Sequence, residues 1–288
     1  MKMIKDTKTM VKRVVIQGGY GAFHEIAVKN YFRDEVIEIV PANTFKDLFK
    51  SLQMNHADFG IMAIENSSAG SILPNYGLLQ NSNMKIIGEI YLRIKQNLVA
   101  LPGQNIEDIK EVYSHPMAIL QCQTFFENYP NIRLIESIDT ALSAKEIQDK
   151  RLKGVGAIAS KMAAQKYGLK ILKESIETNK MNYTRFLILA DRKMDVGNIK
   201  VDKASIHFSL AHEIGSLAKI LSTLSYYNMN LTKIQSMPIM NSEWEYQFYI
   251  DLTFNDYKLY RQSLEAIRPF TSHLGIMGEY QKGKTVNE

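Results

Sequence analysis

Asn182-Tyr183-Thr184-Arg185 leads directly into the apolar run Phe186-Leu187-Ile188-Leu189, so a hydroxyl and a guanidinium stand side by side where a loop becomes a strand. Loop-to-strand junctions of open α/β sheets are where ligand groups gather. A hydroxyl can hydrogen-bond a departing oxygen, and a guanidinium can hold a carboxylate through two parallel bonds. Chemistry on a small acid is the first expectation. A second junction has the same character: the apolar stretch from Asp58 to Ile64 opens into Glu65-Asn66-Ser67-Ser68, four polar side chains in a row. A third is Tyr113-Ser114-His115-Pro116, where a short strand meets a helix start.

The elements that must position these groups follow from periodicity. Arg13–Gln17 is a β-branched run halted by Gly18-Gly19-Tyr20-Gly21, and Ala22–Phe32 then has helical spacing. This strand, glycine turn and helix would let backbone N–H groups face an anion. The turn lacks the third glycine of a dinucleotide fingerprint and the Gly-Lys-Ser/Thr of a phosphate loop. Beyond it come a strand at 38–40, a helix capped by Thr44, the strand ending at Ile64, and a helix beginning at Gly70-Ser71-Ile72. A long strand-like stretch runs from Lys85 to Leu101. Helices and strands then alternate, with a helix through Ile119, Cys122 and Phe126, another over Thr140–Lys150, and strands at 131–137, 156–159, 169–172 and 186–190. Such alternation is the mark of parallel sheets covered by helices. The expected architecture is α/β, with two lobes joined by crossing connections around a cleft.

After the polar joint at 191–202 the pattern changes to βαββαβ: strands at 204–210, 231–239, 245–254 and 274–280, with helices at 213–227 and 257–267. This is the order of a ferredoxin-like unit, with two helices on one sheet face and the other left for association.

Composition bounds the rest. The chain has 288 residues, enough for two or three compact units. Thirty-five basic residues against 30 acidic give a net charge of only +5, scattered without a stripe, which argues against nucleic acid and suits a small anionic substrate. The single Cys122 excludes an intramolecular disulfide and a multi-cysteine metal site. His24-Glu25 and His212-Glu213 are followed by Val28 and Ser216 where a zinc motif would need a second histidine. No metal or organic cofactor is expected. With no apolar run long enough for a membrane span and no export signal, the chain reads as cytoplasmic.

Taken together, these motifs resemble the prephenate dehydratase family carrying a C-terminal ACT regulatory domain. The resemblance covers Arg13 to about Gln281. It rests on the glycine turn before a helix, Ile64-Glu65-Asn66-Ser67 with Gly70-Ser71, Tyr113-Ser114-His115-Pro116 with Gln121-Cys122, and Thr184-Arg185-Phe186, all in the family's order. It implies a monofunctional enzyme that converts prephenate to phenylpyruvate, carbon dioxide and water. It also implies a two-lobed region like the periplasmic binding proteins over 13–191 (lobes roughly 13–91 plus 183–191, and 92–182), an ACT domain over 203–282, and a mobile tail over 1–12.

By the same resemblance Thr184 is the catalytic hydroxyl, with Asn66, Ser114 and Glu65 as catalytic partners. Glu65 is either a general acid or a carboxylate satisfied by backbone N–H groups; His115 reads as a cap. Substrate binding is implied for Arg185, Phe186, Ser67, Gly21, Ala22, His24 and Met117. L-phenylalanine is the implied effector, bound between paired ACT domains of a homodimer or homotetramer by Ile214, Gly215, Ser216, Leu217, Asn230, Leu231, Gln235 and Ser236. Three positions depart from the family: Ala22 replaces a threonine, His24 a serine and Met117 a glutamine. Either His24 and backbone amides hold the carboxylates, or the substrate differs, arogenate being the example, or activity is low. A solute or amino-acid sensor is the competing class.

Overall fold

The computed structural model describes residues 11–195, 197, 200–210, 213–239 and 245–287. Residues 1–10 of the expected tail and His212 lie outside the described residues.

In chain order the elements are β1 (Lys12–Gln17), α1 (Phe23–Phe32), β2 (Ile37–Ala42), α2 (Phe45–Gln53), β3 (Phe59–Asn66) and β4 (Gly70–Ser71). Next come α3 (Leu73–Gln80), β5 (Met84–Arg93), β6 (Asn97–Ala100), β7 (Glu111–Ser114), α4 (Pro116–Gln121), α5 (Gln123–Phe126), β8 (Arg133–Glu136), α6 (Thr140–Lys150), β9 (Val155–Ala159), α7 (Lys161–Lys166) and β10 (Lys170–Lys173). The chain continues with β11 (Tyr183–Asp191), β12 (Lys203–Leu210), α8 (Ser216–Tyr226), β13 (Asn230–Pro238), β14 (Tyr246–Thr253), α9 (Tyr257–Ile267), β15 (Ser272–Tyr280) and β16 (Thr285–Val286). Two compact units result. One holds the described residues up to Ile72 with Ile90–Phe186 and 285–287; the other holds Leu73–Glu89 and Leu187–Lys284.

The first unit contains two lobes. In one, β1 lies between β2 and β3, parallel to both. Val14, Val15 and Ile16 are fully buried, as the middle strand of a helix-covered parallel sheet requires. Thr44 starts α2 with a capping box: its hydroxyl accepts from Asp47 N–H and the Asp47 carboxylate accepts from Thr44 N–H, worth about 1 kcal/mol. β1 begins at Lys12, which pairs with Ile37, so the expected tail is one residue too long. Gly70-Ser71 does not start a helix. It folds back as β4, antiparallel to β3 at Asn66 and Glu65, because Gly70 takes a left-handed φ of 79° that turns the chain.

The other lobe is a five-stranded sheet in the order β10-β6-β9-β7-β8, parallel through β9, β7 and β8 and antiparallel at β6 and β10. Small residues make its helices pack close: Ala141, Ala144, Ala163 and Ala164 are buried against Ala157 and Ala159. Asp139 and Ser160 cap α6 and α7, each accepting a first-turn N–H. The helix expected through Phe126 breaks at Cys122 into α4 and α5; the thiol there is buried, and burial pushes its pKa up. The stretch expected as one strand from Lys85 to Leu101 is likewise interrupted at 94–96, where the chain crosses between lobes. That crossing is tied to the returning one by Ile94 N–H to Asn182 O (2.8 Å) and Ile176 N–H to Gln96 O (2.7 Å).

The second unit is built on β12-α8-β13-β14-α9-β15, with sheet order β13-β14-β12-β15 and antiparallel neighbours throughout. This is the ferredoxin-like arrangement. Ile220, Leu224, Tyr260, Leu264 and Ile267 of the two helices bury themselves against Ile206, Phe208, Ile250 and Leu252, and Tyr260 stacks on Phe254 at 4.3 Å. Each such aliphatic side chain contributes about 1.5–3 kcal/mol, so the apolar stripe of α8 and α9 suffices to place them. The opposite face is not wholly free, contrary to expectation. Tyr249 points there and is buried against Tyr76 of α3 (4.9 Å), its hydroxyl donating to Gln80.

Candidate active site

Three strand ends and four helix starts of the first unit line one cavity of about 330 Å³. Thr184 and Phe186 face it from β11. Strand alternation sends Arg185, between them, to the other side, where it is buried with its guanidinium 6.0 Å from the Tyr91 ring centroid. The expected carboxylate-binding cation is therefore not among the residues lining the cavity. Period two explains the miss: adjacent strand residues cannot share a face.

Asn66, at the end of β3, sets the Thr184 hydroxyl. Its Oδ1 accepts from the backbone N–H groups of Ser68 and Ala69, both at 2.9 Å. Backbone donors thus fix which way the amide points, and its Nδ2 must face Thr184 Oγ1 (2.9 Å) and Asn182 Oδ1 (2.7 Å). Asn182 Nδ2 passes the order on to Gln121 Oε1 (3.0 Å), which also accepts from Gln96 Nε2 (3.1 Å). Four amides are oriented from one turn. Among the described residues no acceptor takes the proton of the Thr184 hydroxyl, so that O–H is left to donate to a bound group.

Ala22, His24 and Met117 line the same cavity. Glu65, Ser67, Ser114 and Gly21 do not. Ser114 is fully buried and donates to Ile158 O at 2.8 Å, a bond that ties β7 to β9. Ser67 holds the β11 loop, donating to Met181 O and accepting from Tyr183 N–H. Gly21 is a packing residue with φ 85°; a Cβ there would lie 2.7 Å from Ala163 Cα, so only glycine lets α1 start against α7. Its N–H donates to Glu25 and its C=O accepts from Ser160 Oγ. His115 caps α4 through Nδ1, which accepts Met117 N–H at 3.2 Å.

Sequence reading missed Gln17, Gln96, Asp139 and Thr140 in the cavity wall. Asp139-Thr140 ahead of an alanine-rich helix is an N-cap signal, and caps at strand-to-helix turns face such clefts. Among the described lining residues there is one carboxylate, Asp139, and no lysine or arginine. Burial pushes the Asp139 pKa up, opposed by N–H bonds from Leu142, Gly19 and Ala141.

His24 sits edge-on to Phe186 at 4.9 Å and near Phe45 at 5.7 Å, its Nε2 accepting Ala63 N–H at 3.4 Å. Burial lowers its pKa to about 3. It is a neutral imidazole near pH 7 and brings no cation to a carboxylate. Because its folded pKa lies below the unfolded value of 6.5, the stability it contributes is complete above pH 6.5. That stability is lost as pH falls toward about 3, with a slope of up to about 1.4 kcal/mol per pH unit. Urea unfolding at pH 7 and pH 4.5 should show the wild type losing more stability than His24→Leu; equal losses would remove His24 from the acid sensitivity.

The expected effector residues lie in the second unit. Gly215, with φ 82°, is the N-cap of α8, Ile214 beside it is fully exposed, and Ser216 and Leu217 form the first turn. Strand register separates the rest: Leu210 and Pro238 both pair with Tyr246 at one sheet end, whereas Asn230 and Lys203 both pair with Thr253 at the other. Gln235 and Ser236 lie toward the 214–217 end; Asn230 and Leu231 do not, so one protomer does not gather all eight.

A family model described as prephenate dehydratase matches residues 14–194. The arogenate dehydratase/prephenate dehydratase 2 of Arabidopsis thaliana, a chloroplastic protein, is 35% identical over 286 residues, covering 95% of this chain and 74% of that protein. Among solved structures, GqqA, described as a novel type of quorum quenching acylase, matches with TM-score 0.84 and 26% identity over 94% of this chain and 98% of its own. The Arthrobacter aurescens prephenate dehydratase in complex with L-Phe has the same fold, with TM-score 0.81 and 24% identity over 93% of this chain and 89% of that chain.

Proposed function

This chain belongs to the prephenate dehydratase family of carbon–oxygen lyases, and from that premise we propose that the Thr184 cavity carries out the decarboxylative dehydration of prephenate. The C1–carboxylate bond breaks and releases carbon dioxide; its electron pair enters the ring, which becomes aromatic as the C4–oxygen bond breaks. Hydroxide leaves and takes up one proton, giving phenylpyruvate and water. Aromatisation supplies the driving force, so the protein has to orient the substrate and hydrogen-bond the departing oxygen. The observation that carries this reading is the Asn66 amide donating into Thr184 Oγ1 at 2.9 Å, which turns the hydroxyl proton outward. A threonine hydroxyl does not ionise near neutrality, so Thr184 acts as a hydrogen-bond donor to the developing hydroxide.

Residues 13–191 form the catalytic region in this reading, and 203–282 an ACT domain that binds L-phenylalanine. The L-Phe held by the Arthrobacter relative supports the effector, and the ferredoxin-like order supports the domain. The separation of Asn230 and Leu231 from the 214–217 loop supports an effector site completed by a second copy in a homodimer or homotetramer. We place the enzyme in the cytoplasm, in aromatic amino acid biosynthesis. The test is phenylpyruvate formation from prephenate by the purified chain, with and without L-phenylalanine, beside sedimentation. Turnover that responds to L-phenylalanine in an oligomer is expected; folded protein without turnover on prephenate or on its amino counterpart, arogenate, would sink the reading.

A further inference from the structure

We propose that Asp139 makes this cavity selective for the amino form of the substrate, arogenate, in which an ammonium stands where prephenate has its keto oxygen. The inference rests on the dehydratase reading above and concerns which member of its substrate pair is taken.

Asp139 lines the cavity with only 8% of its surface exposed. Its Oδ1 is held by Leu142 N–H at 2.8 Å and, more distantly, by Gly19 N–H at 3.5 Å. The other oxygen lies against Gly18, 2.7 Å from where a Cβ would stand, so the glycine turn gives the carboxylate its place. No lysine or arginine is among the described lining residues, His24 is neutral, and His115, the one ring that favours the Asp139 carboxylate electrostatically, uses Nδ1 as an acceptor. Prephenate would bring two negative charges to this carboxylate with no fixed cation between them. Arogenate brings an ammonium with its two carboxylates, and buried carboxylates are stabilised by such a partner.

A second observation supplies the matching site for the α-carboxylate. Ala22, the N-cap of the ten-residue α1, has no side-chain oxygen and makes no cap hydrogen bond, and Ala22 and Phe23 both line the cavity. The first-turn N–H groups of α1 are therefore left for a ligand oxygen. A helix start for the carboxylate and an aspartate for the ammonium are the two halves of α-amino-acid recognition. Burial, which raises the Asp139 pKa, would be offset by the ammonium. The bonds broken are the same as for prephenate, and the products are phenylalanine, carbon dioxide and water.

The experiment measures kcat/KM for arogenate and for prephenate with the full-length wild type, Asp139→Asn and Asp139→Ser. Both substitutions keep a capping oxygen for α6 and remove the charge. Expected are a wild-type preference for arogenate of at least about tenfold, and a fall of at least about tenfold in the arogenate-to-prephenate ratio in both variants, mainly through the KM for arogenate. A wild type that prefers prephenate, or variants that lower both substrates equally, would overturn the assignment of Asp139 while leaving the dehydratase reading intact. A folded wild type inactive on both substrates would overturn the two together.

Discussion

Thr184→Ala should lower kcat by about 10²–10³-fold and leave KM within a few-fold, the signature of an interaction made in the transition state. The expectation follows from one oriented proton. Asn66 donates to Thr184 Oγ1, and the amide cannot turn because Ser68 and Ala69 N–H groups hold its oxygen. The hydroxyl can therefore only give its proton to what lies in the cavity. Prephenate's C4 oxygen carries little charge in the ground state and nearly a full one as hydroxide departs, so the bond strengthens along the reaction. Removing the Thr184 hydroxyl also leaves the Asn66 amide with Asn182 and the Tyr183 carbonyl as acceptors, which keeps the loop in place. Steady-state kinetics of the folded variant decide the matter. A rise in KM alone would mean that Thr184 holds substrate and transition state alike, and an unchanged kcat would remove it from the chemistry.

How much of this was legible depends on the distance over which each feature is determined. The Thr44 capping box, the glycine turn at 18–21 and the βαββαβ order are local, and the residue pattern contains them. Arg185 shows how adjacency in sequence misleads: Thr184 and Phe186 share a strand face, and Arg185 cannot. Gly70-Ser71 read as a helix start because a two-residue strand has no periodicity to detect; only its pairing with β3 defines it. The amide chain from Asn66 through Asn182 and Gln121 to Gln96 joins residues 25 to 116 positions apart, and no local rule reaches that far. Asp139 is the intermediate case. Its capping role is local, but its place in the cavity wall arises from the close approach of Gly18.

The same distance dependence applies to stability, where the largest single effect should come from a contact that no pattern announces. Lys203→Met is expected to destabilise the second unit by about 3–5 kcal/mol. Lys203 Nζ lies 2.9 Å from both carboxylate oxygens of Glu89, and the two side chains are essentially inaccessible to water. Taking either charge out of water costs several kcal/mol, and in the native state each is offset by the other. Methionine fits the length of lysine without its charge, so the ammonium is withdrawn from the buried Glu89 carboxylate while the bond from Gly283 N–H at 3.1 Å remains. The double variant Lys203→Met, Glu89→Leu removes both charges and should recover most of the loss, because a buried ion pair is worth little more than apolar groups of the same shape. Calorimetry separates the outcomes, since units that unfold apart give separate transitions. A single variant that shifts no transition would mean water reaches Glu89, and a double variant as unstable as the single one would mean that Lys203 acts through packing instead of charge.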